Sequence, residues 1–350
     1  MNTQLPTRKA ILERRTYEPP GEGRAKKLRL DFNENTTGCS PAVIRALAKL
    51  SAKQIAMYPE YERSTQCLAR YFGVKPDELL LTNGGDDALR SFFDAFVDAG
   101  SSILICEPTF PMYRYYAEIS AAQIDTLPYT MQMEFPLMQV IEALKRRPRV
   151  LFIANPNNPT GTLVAPAQIE PILQAATHTA VVIDEAYVEF SEATVVPWIR
   201  KYAHLFVART FSKAAGLAGL RLGAVMACSE SIAILKRGMP PFPVNLAALV
   251  AAEAAVRDKK AIQRYVRETQ STRRWFDQHL QQLGVKTYPS AGNFLLADFG
   301  PPGPGLFQTL ERQGILVRER SKDLGPGFVR ISIGTRTEME RLVKAIRRFL

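Results

Sequence analysis

Cysteine and histidine are scarce in this chain: four cysteines and three histidines among 350 residues. Cys39, Cys67, Cys106 and Cys228 are scattered and form no C-x-x-C pair, which argues against a zinc knuckle or a disulfide framework and fits a reducing, cytoplasmic setting. His178, His204 and His279 lie too far apart to suggest a local metal site. No apolar run approaches the ~18 residues of a membrane span. The segment Met1–Gly23 is polar and proline-bearing, unlike a signal peptide. Internal repeats and low-complexity tracts are also missing. What is present is ordinary globular composition, 46% apolar and 23% charged, which excludes a disordered or fibrous chain. A chain of this length buries roughly three quarters of its unfolded surface and divides into about two domains.

Charge is the one compositional excess, at +11. It poses a choice between nucleic acid and small anions. The basic residues form no block and do not interleave with aromatics, so nucleic acid is not expected. The Lys259-Lys260 and Arg273-Arg274 pairs read as solvated helix faces. A thinly spread positive surface suits the attraction of small anionic substrates.

Short apolar runs with strand character recur at 79–81, 102–106, 124–127, 150–154, 180–183, 205–208 and 222–227. Several are continuous rather than alternating, as in strands covered on both faces. Between them, Ala88, Leu89, Phe92, Phe93, Phe96 and Val97 share one helical face, as do Leu137, Met138, Ile141 and Leu144. Strand–helix alternation at this spacing predicts an α/β, doubly wound domain. After Pro243 the texture changes. Helices are expected over 246–256 and, on the surface, over 257–283, with strands at 294–298 and 328–333. Gly300-Pro-Pro-Gly-Pro-Gly305 reads as a loop, and Glu338–Leu350 as a closing amphipathic helix. This second part is read as a smaller α+β domain.

Four segments carry chemistry. Thr210–Gly223 follows directly on an apolar run and places Lys213 beside the hydroxyls of Thr210 and Ser212, with Arg221 eight residues on. Lysine forms imines with carbonyls when partly neutral, and hydroxyls with an arginine suit a phosphate dianion. Together those needs describe pyridoxal phosphate; a solvated lysine at a helix start is the competing reading. Second, the run 180–184 ends in Asp184, at the strand terminus where α/β proteins bind ligands. A carboxylate there suits the pyridine nitrogen, which it keeps protonated, and Tyr187 can donate to the ring hydroxyl. A strand-end aspartate also serves metal and nucleotide sites. Third, Asn155-Pro-Asn-Asn-Pro-Thr-Gly161 is a tight loop after a strand, rich in amides that can bind a ring oxygen or an anion. Fourth, Leu79–Leu89 runs from strand through Gly84-Gly85 into a helix start, an arrangement that offers free N–H groups to phosphate. It matches neither G-x-G-x-x-G nor G-x-x-x-x-G-K-[ST].

These segments resemble the fold-type I, pyridoxal-phosphate-dependent aminotransferases of classes I and II, and among them the histidinol-phosphate aminotransferases. The resemblance runs from about Leu28 to the C-terminus. It rests on Asn33-Glu-Asn35, Tyr58-Pro59, Asn83-Gly-Gly-Asp86, Pro108–Tyr113, Asn155–Gly161, Asp184-Glu-Ala-Tyr187, Ser212-Lys213, Gly216–Arg221, Tyr288–Phe294, Gly314–Arg318 and Arg330–Gly334, all in order.

The resemblance implies a mostly parallel sheet in a large α/β/α domain plus a smaller α+β domain. The bounds expected are an arm over 1–29, a large pyridoxal-phosphate-binding domain over 30–245 and a small C-terminal domain over 246–350. It implies that Lys213 holds the cofactor as an imine and shuttles the substrate proton, while Asp184 pairs with the ring nitrogen. Tyr187 and Asn158 would contact the ring oxygen, with Phe110 stacked on the ring. Gly85, Asp86, Thr210, Ser212 and Arg221 would hold the phosphate. Tyr58 would reach the cofactor phosphate of a neighbouring subunit, which implies a homodimer with shared sites. Arg330 and Arg318, with Asn158, would take the substrate anion. One departure stands out. The family pattern N-E-N-P-[YL]-G is here Asn33-Glu-Asn-Thr-Thr-Gly38, which puts Thr37 where an aromatic or apolar pocket residue often stands.

The activity implied is amino transfer between L-histidinol phosphate and 2-oxoglutarate, giving imidazole acetol phosphate and L-glutamate in histidine biosynthesis. Alternatives are an aromatic amino-acid aminotransferase, a threonine-phosphate-type decarboxylase, and a non-catalytic sensor built on this fold. The sensor would need an appended DNA-binding domain, and roughly 27 residues ahead of the similarity are too few for one.

Overall fold

The computed structural model describes residues 5–12, 14 and 23–350. Its strands are β1 (Leu28–Leu30), β2 (Leu79–Thr82), β3 (Ser102–Glu107), β4 (Gln123–Pro128), β5 (Val150–Ala154), β6 (Ala180–Asp184), β7 (Leu205–Thr210), β8 (Gly223–Met226), β9 (Lys286–Tyr288), β10 (Phe294–Asp298), β11 (Ile315–Glu319) and β12 (Phe328–Ser332). The helices of seven residues or more are α1 (Pro41–Leu47), α2 (Glu62–Phe72), α3 (Gly84–Phe96), α4 (Met112–Ile119), α5 (Leu137–Leu144), α6 (Pro166–Ala175), α7 (Ser229–Arg237), α8 (Leu246–Arg257), α9 (Lys259–Gln282), α10 (Gly303–Arg312) and α11 (Arg336–Phe349).

Seven strands form one sheet in the order β2-β8-β7-β6-β5-β3-β4. The β4-β3-β5-β6-β7 block is parallel, and β8 runs against both β7 and β2. The continuous apolar runs explain why this sheet is central. All five residues of β5 are buried, because alternate side chains serve two different cores. Leu151 and Ile153 pack with Ile169, Ile172 and the α8 alanines on one face. Val150 and Phe152 pack with Ala88, Phe92, Phe93 and Tyr113 on the other. On the second face Phe152 stacks on Tyr113 at 5.0 Å and on Phe93 at 5.2 Å between ring centroids. Each such fully buried ring contributes on the order of 1.5–3 kcal/mol of transfer free energy.

The second sheet is β1-β11-β12-β10-β9, antiparallel except where β1 lies parallel to β11. Its core takes Leu295, Ile331, Phe276 and the Met339–Ile346 face of α11. The small unit is thus built from both ends of the chain. Leu28–Leu30 belongs to it, although the expected bounds divide that strand between arm and large domain. Conversely, α8 starts the expected small domain, yet its Ala248, Leu249, Ala251 and Ala252 belong to the first core.

The stretch expected as a surface helix over 257–283 breaks at Asp258, whose side chain accepts from the Ala261 N–H at 3.4 Å and so starts α9. That helix is not merely solvated. Ile262 and Val266 enter the first core, and Phe276 and Leu280 the second.

One loop expectation is corrected. Gly303-Pro-Gly305 forms the first turn of α10. Proline is tolerated there because the missing N–H has no helical partner in any case. A side chain at Gly303 would collide with the Gly327 backbone. The N-terminal arm is described only in part. Within it, Arg8 Nη2 donates to the Ile119 carbonyl at 2.6 Å and Arg14 pairs with Glu118 at 3.1 Å, against α4.

Candidate active site

Parallel strands expose their C-terminal ends on one edge, and the loops leaving β3, β5, β6 and β7 converge there. The second sheet closes the opposite side with β11 and β12. Between them lies a cavity of about 280 Å³, near the low end of the roughly 300–1,000 Å³ usual for small-molecule sites. Of the residues singled out from sequence, Lys213, Asp184, Tyr187, Gly85, Asp86, Phe110, Asn158, Thr210, Ser212, Arg221, Arg318 and Arg330 all line it.

Asp184 terminates β6 with its carboxylate facing the cavity. Oδ2 accepts from the Tyr113 hydroxyl at 2.8 Å and Oδ1 from the Ala186 N–H at 3.1 Å. Burial dominates and lifts its pKa to about 6, despite those two hydrogen bonds, which pull it down. Among the described residues no basic side chain lies within salt-bridge distance of it, so a cationic ligand atom is what this carboxylate lacks. Lys213 sits three residues past β7, and its Nζ donates to the Phe32 carbonyl at 2.9 Å. That Nζ also lies 5.7 Å from the centre of the Tyr187 ring.

At the other end of the cavity α3 begins without a side-chain cap, leaving first-turn N–H groups directed outward. Arg221, in the left-handed region at φ 55°, bends back to Asp86 with Nη2–Oδ2 at 3.0 Å. Gly84 has a left-handed φ of 85°, which favours glycine, and a Cβ there would lie 2.6 Å from Arg221 Nη2 and displace the guanidinium from the helix start. Gly223 answers the same need from β8, where a Cβ would stand 2.6 Å from the Gly84 carbonyl group. The Thr210 hydroxyl is 3.0 Å from that of Ser212 and accepts from the Ser212 N–H at 3.1 Å, which fixes two hydroxyls beside the helix start. This cradle of N–H groups, hydroxyls and one guanidinium has the donor chemistry that a phosphate dianion requires.

Arg330 projects from β12 opposite. It is 5% exposed, yet no carboxylate pairs with it among the described residues. Its Nη1 donates to Asn158 Oδ1 at 2.6 Å, Nη2 donates to the Asp31 carbonyl, and Nε has no partner. Burial lowers its pKa to about 10, so it stays cationic at neutral pH. Arg318 is its register neighbour on β11. An unpaired buried guanidinium is costly unless an anion joins it. The cavity therefore has two cationic ends, with an acid and an amine between them.

Two residues expected at the site are not brought to it by this chain. Tyr58 is 77% exposed and stacks on Phe242 at 4.6 Å, in a separate surface groove. Thr37 points outward, because Asn35 Oδ1 accepts from both its N–H and its hydroxyl, at 3.0 and 2.7 Å, and turns the chain away. The amide-rich loop is also more structural than its composition implies. Asn155 bonds to both backbone groups of Val164, and Asn157 bonds to Pro108, Thr109 and Thr160. Of its three asparagines only Asn158 lines the cavity.

Tyr113 and Asn33 stand in the quoted motifs, but sequence reasoning assigns neither a role at the site. Tyr113 is wholly buried and spends its hydroxyl on Asp184; a tyrosine on the apolar face of a helix needs such a partner, and that was the available signal. Asn33 donates to the Tyr187 hydroxyl at 2.9 Å and exchanges two hydrogen bonds with Ser332. No group of three or more His, Cys, Asp or Glu among the described residues is arranged to hold a metal, and no described helix is long and apolar enough to cross a membrane.

Residues 25–346 match the model of the family described as aminotransferase class I and II. A histidinol-phosphate aminotransferase of Geobacillus sp. (strain WCH70) is 36% identical over 330 residues, spanning 92% of this chain and 90% of that protein. The crystal structure of histidinol-phosphate aminotransferase from Sinorhizobium meliloti, in complex with pyridoxal-5′-phosphate, superposes over the full length of both chains, with a TM-score of 0.90 at 24% identity. An L-threonine-O-3-phosphate decarboxylase from Porphyromonas gingivalis matches with a TM-score of 0.81 at 25% identity, over 92% of this chain and 99% of that one.

Proposed function

The chain belongs to the class I and II aminotransferases, and on that premise we propose that it transfers the amino group between L-histidinol phosphate and 2-oxoglutarate in histidine biosynthesis, as a cytoplasmic homodimer. The family works through pyridoxal 5′-phosphate. One observation carries the substrate reading: buried Arg330, with Arg318 beside it, lacks a carboxylate partner and faces the cavity from the end opposite the Arg221 cradle. A substrate spanning that space presents an anion to Arg330 and an amine to Lys213.

The residues fit the cofactor. Asp184 offers the buried carboxylate its ring nitrogen needs, and the α3 start with Thr210, Ser212 and Arg221 offers the phosphate donors. When bound, the cofactor supplies an aldehyde for the amine and a cationic ring that accepts the electrons left behind by the Cα proton. The chain supplies the rest. Lys213 Nζ, which donates to the Phe32 carbonyl, exchanges that contact for the reacting atoms and carries the proton to and from the substrate Cα. Tyr187, braced by Asn33, and Asn158, braced by Arg330, would hold the ring oxygen, and Phe110, which lines the cavity, would pack against the ring. Arg330 serves both half-reactions, because phosphate and carboxylate each accept its forked donors.

Glutamate formation from purified protein, L-histidinol phosphate and 2-oxoglutarate tests this reading. The kcat/KM for histidinol phosphate should exceed that for L-histidinol, which lacks the anion, by roughly 100-fold, the worth of one charge-assisted contact of ~2–3 kcal/mol. The likeness to the threonine-phosphate decarboxylase supports a second reading, since both reactions need an anion-gripping pocket. Carbon dioxide release without glutamate would replace the first reading with the second.

The homodimer rests on Tyr58 and Phe242, an exposed aromatic pair lying beside a groove between α1, α2 and α8. Light scattering should give twice the mass of one chain. A fully active monomer would remove Tyr58 from the site.

A further inference from the structure

Arg320 lines the same cavity as Arg318 and Arg330 but has no part in the site assembled above. It follows β11 by one residue and precedes the one-turn helix Ser321–Leu324, within which Asp323 pairs with its guanidinium. Its side chain is 11% exposed and that of Asp323 34%. Three guanidinium groups therefore border one end of the cavity. Arg318 and Arg330 have no carboxylate partner among the described residues, whereas Arg320 is tethered to one. Burial is the main cause of the lowered pKa of Arg330, and the charges of Arg320 and Arg318 add to it, which places the three within electrostatic reach of one another.

Resting on the amino-transfer reading, two anions must use this end in turn. A phosphate monoester carries about −1.5 to −2 charges on three terminal oxygens. A carboxylate carries one charge on two oxygens, which a single fork satisfies. A third fixed arginine would leave the carboxylate complex with excess positive charge; its omission would leave the phosphate with unmatched charge. We propose that Arg320 is an adjustable third arm of the substrate-anion site: it leaves Asp323 to grip a phosphate dianion and returns to Asp323 when the distal anion is a carboxylate. An ion pair partly open to solvent is weak enough for this exchange. Nothing covalent changes in the step; one hydrogen-bond partner replaces another.

The test uses the holoenzyme and the variants Arg320→Gln, Arg320→Lys and Asp323→Asn. Because the two half-reactions are kinetically separate, each substrate's kcat/KM reports its own half. Arg320→Gln should lower kcat/KM for L-histidinol phosphate about 10- to 50-fold and keep that for 2-oxoglutarate within about twofold. Arg320→Lys should recover part of the loss. Asp323→Asn should preserve or raise histidinol phosphate efficiency. Equal losses for both substrates, or no loss for the phosphate, would overturn the proposal. Inhibition by inorganic phosphate, measured against whichever amino donor the protein accepts, should weaken in Arg320→Gln by the same factor. That measurement still tests Arg320 if histidinol phosphate proves not to be the donor, so the two failures are distinguishable. An unchanged cofactor absorbance band in each variant shows that the site is intact.

Discussion

Lys213→Ala should abolish turnover, by roughly 10⁴-fold or more, and leave the fold in place. The size follows from the two tasks assigned to one amine. A positioned proton-transfer group alone is worth about 10²–10⁴ in rate, and in the proposed function the same Nζ would also hold the cofactor's aldehyde. Its structural role is small by comparison. Among the described residues Nζ makes one hydrogen bond, to the Phe32 carbonyl, and a single such bond contributes about 0.5–1.5 kcal/mol. Residues 31–33 do not depend on it. Asp31 is clamped by Arg24 through two hydrogen bonds at 2.7 and 3.1 Å, and Asn33 is bonded to Ser332, Asn293 and Tyr187. Circular dichroism and thermal melting should therefore be close to those of the unaltered protein, while the visible band of the lysine-bound cofactor disappears. Arginine at the same position separates charge from chemistry: it keeps the cation and cannot form the imine. If Lys213→Ala retained more than about 1% of turnover, the amine would not be the proton carrier.

Most of the large sheet was legible from sequence because its central strands are buried on both faces. Val150–Ala154 in it, and Phe294–Asp298 in the interior of the second sheet, match the expected runs residue for residue. The edges of the second sheet were not. Leu28-Arg-Leu30 and Lys286-Thr-Tyr288 are three residues long and interrupted by polar side chains, so no period emerges from them. Ile315–Glu319 ends in two charged residues and is assigned no element from sequence; in the structure it is a strand on which Arg318 faces Arg330 across the ladder.

The candidate site divides along the same line. Residues tied to the end of a legible strand, Asp184 as the last of β6 and Lys213 three past β7, could be placed by counting from it. Residues whose position depends on a long-range partner could not. Tyr113 joins the candidate site only because α4 lays its hydroxyl on Asp184, 71 positions away. Thr37 occupies the expected place in the motif, yet Asn35 turns it outward. Arg320 resembles any charged residue near a turn until the second sheet brings it beside Arg318 and Arg330.

Asp184→Asn should separate activity from the pH dependence of stability. Burial, the largest influence on this carboxyl, raises its pKa from 3.8 to about 6. In the cofactor-free protein the folded state thus retains a proton that the unfolded chain has released. The resulting stabilisation is fully present below about pH 4 and is lost as the pH rises through about 6. The shift bounds the effect at about 3 kcal/mol, and the opening of the carboxylate to the cavity brings the expected value down to 1–2 kcal/mol. Asparagine does not titrate, so the variant stripped of cofactor should lose less stability than the parent between pH 5 and 8. A cationic ring nitrogen beside Asp184 reverses the sign for the parent, since the carboxylate then gains a partner and its pKa falls. Adding the cofactor at pH 8 should therefore raise the melting temperature of the parent more than that of the variant. Activity moves the other way. Without the carboxylate the ring nitrogen loses the charge that holds its proton, and kcat should fall about 10²–10⁴-fold. Scanning calorimetry across that pH range, with and without cofactor, and a glutamate-coupled assay measure the two arms. A variant whose kcat stays within tenfold of the parent would show that Asp184 is a buried structural acid, and the bonds from Tyr113 and Ala186 would then be its whole purpose. The absence of an ion-pair partner makes the opposite case: held at a strand end by two hydrogen bonds, with no basic side chain within salt-bridge distance among the described residues, the carboxylate costs stability at neutral pH until a charged ring arrives.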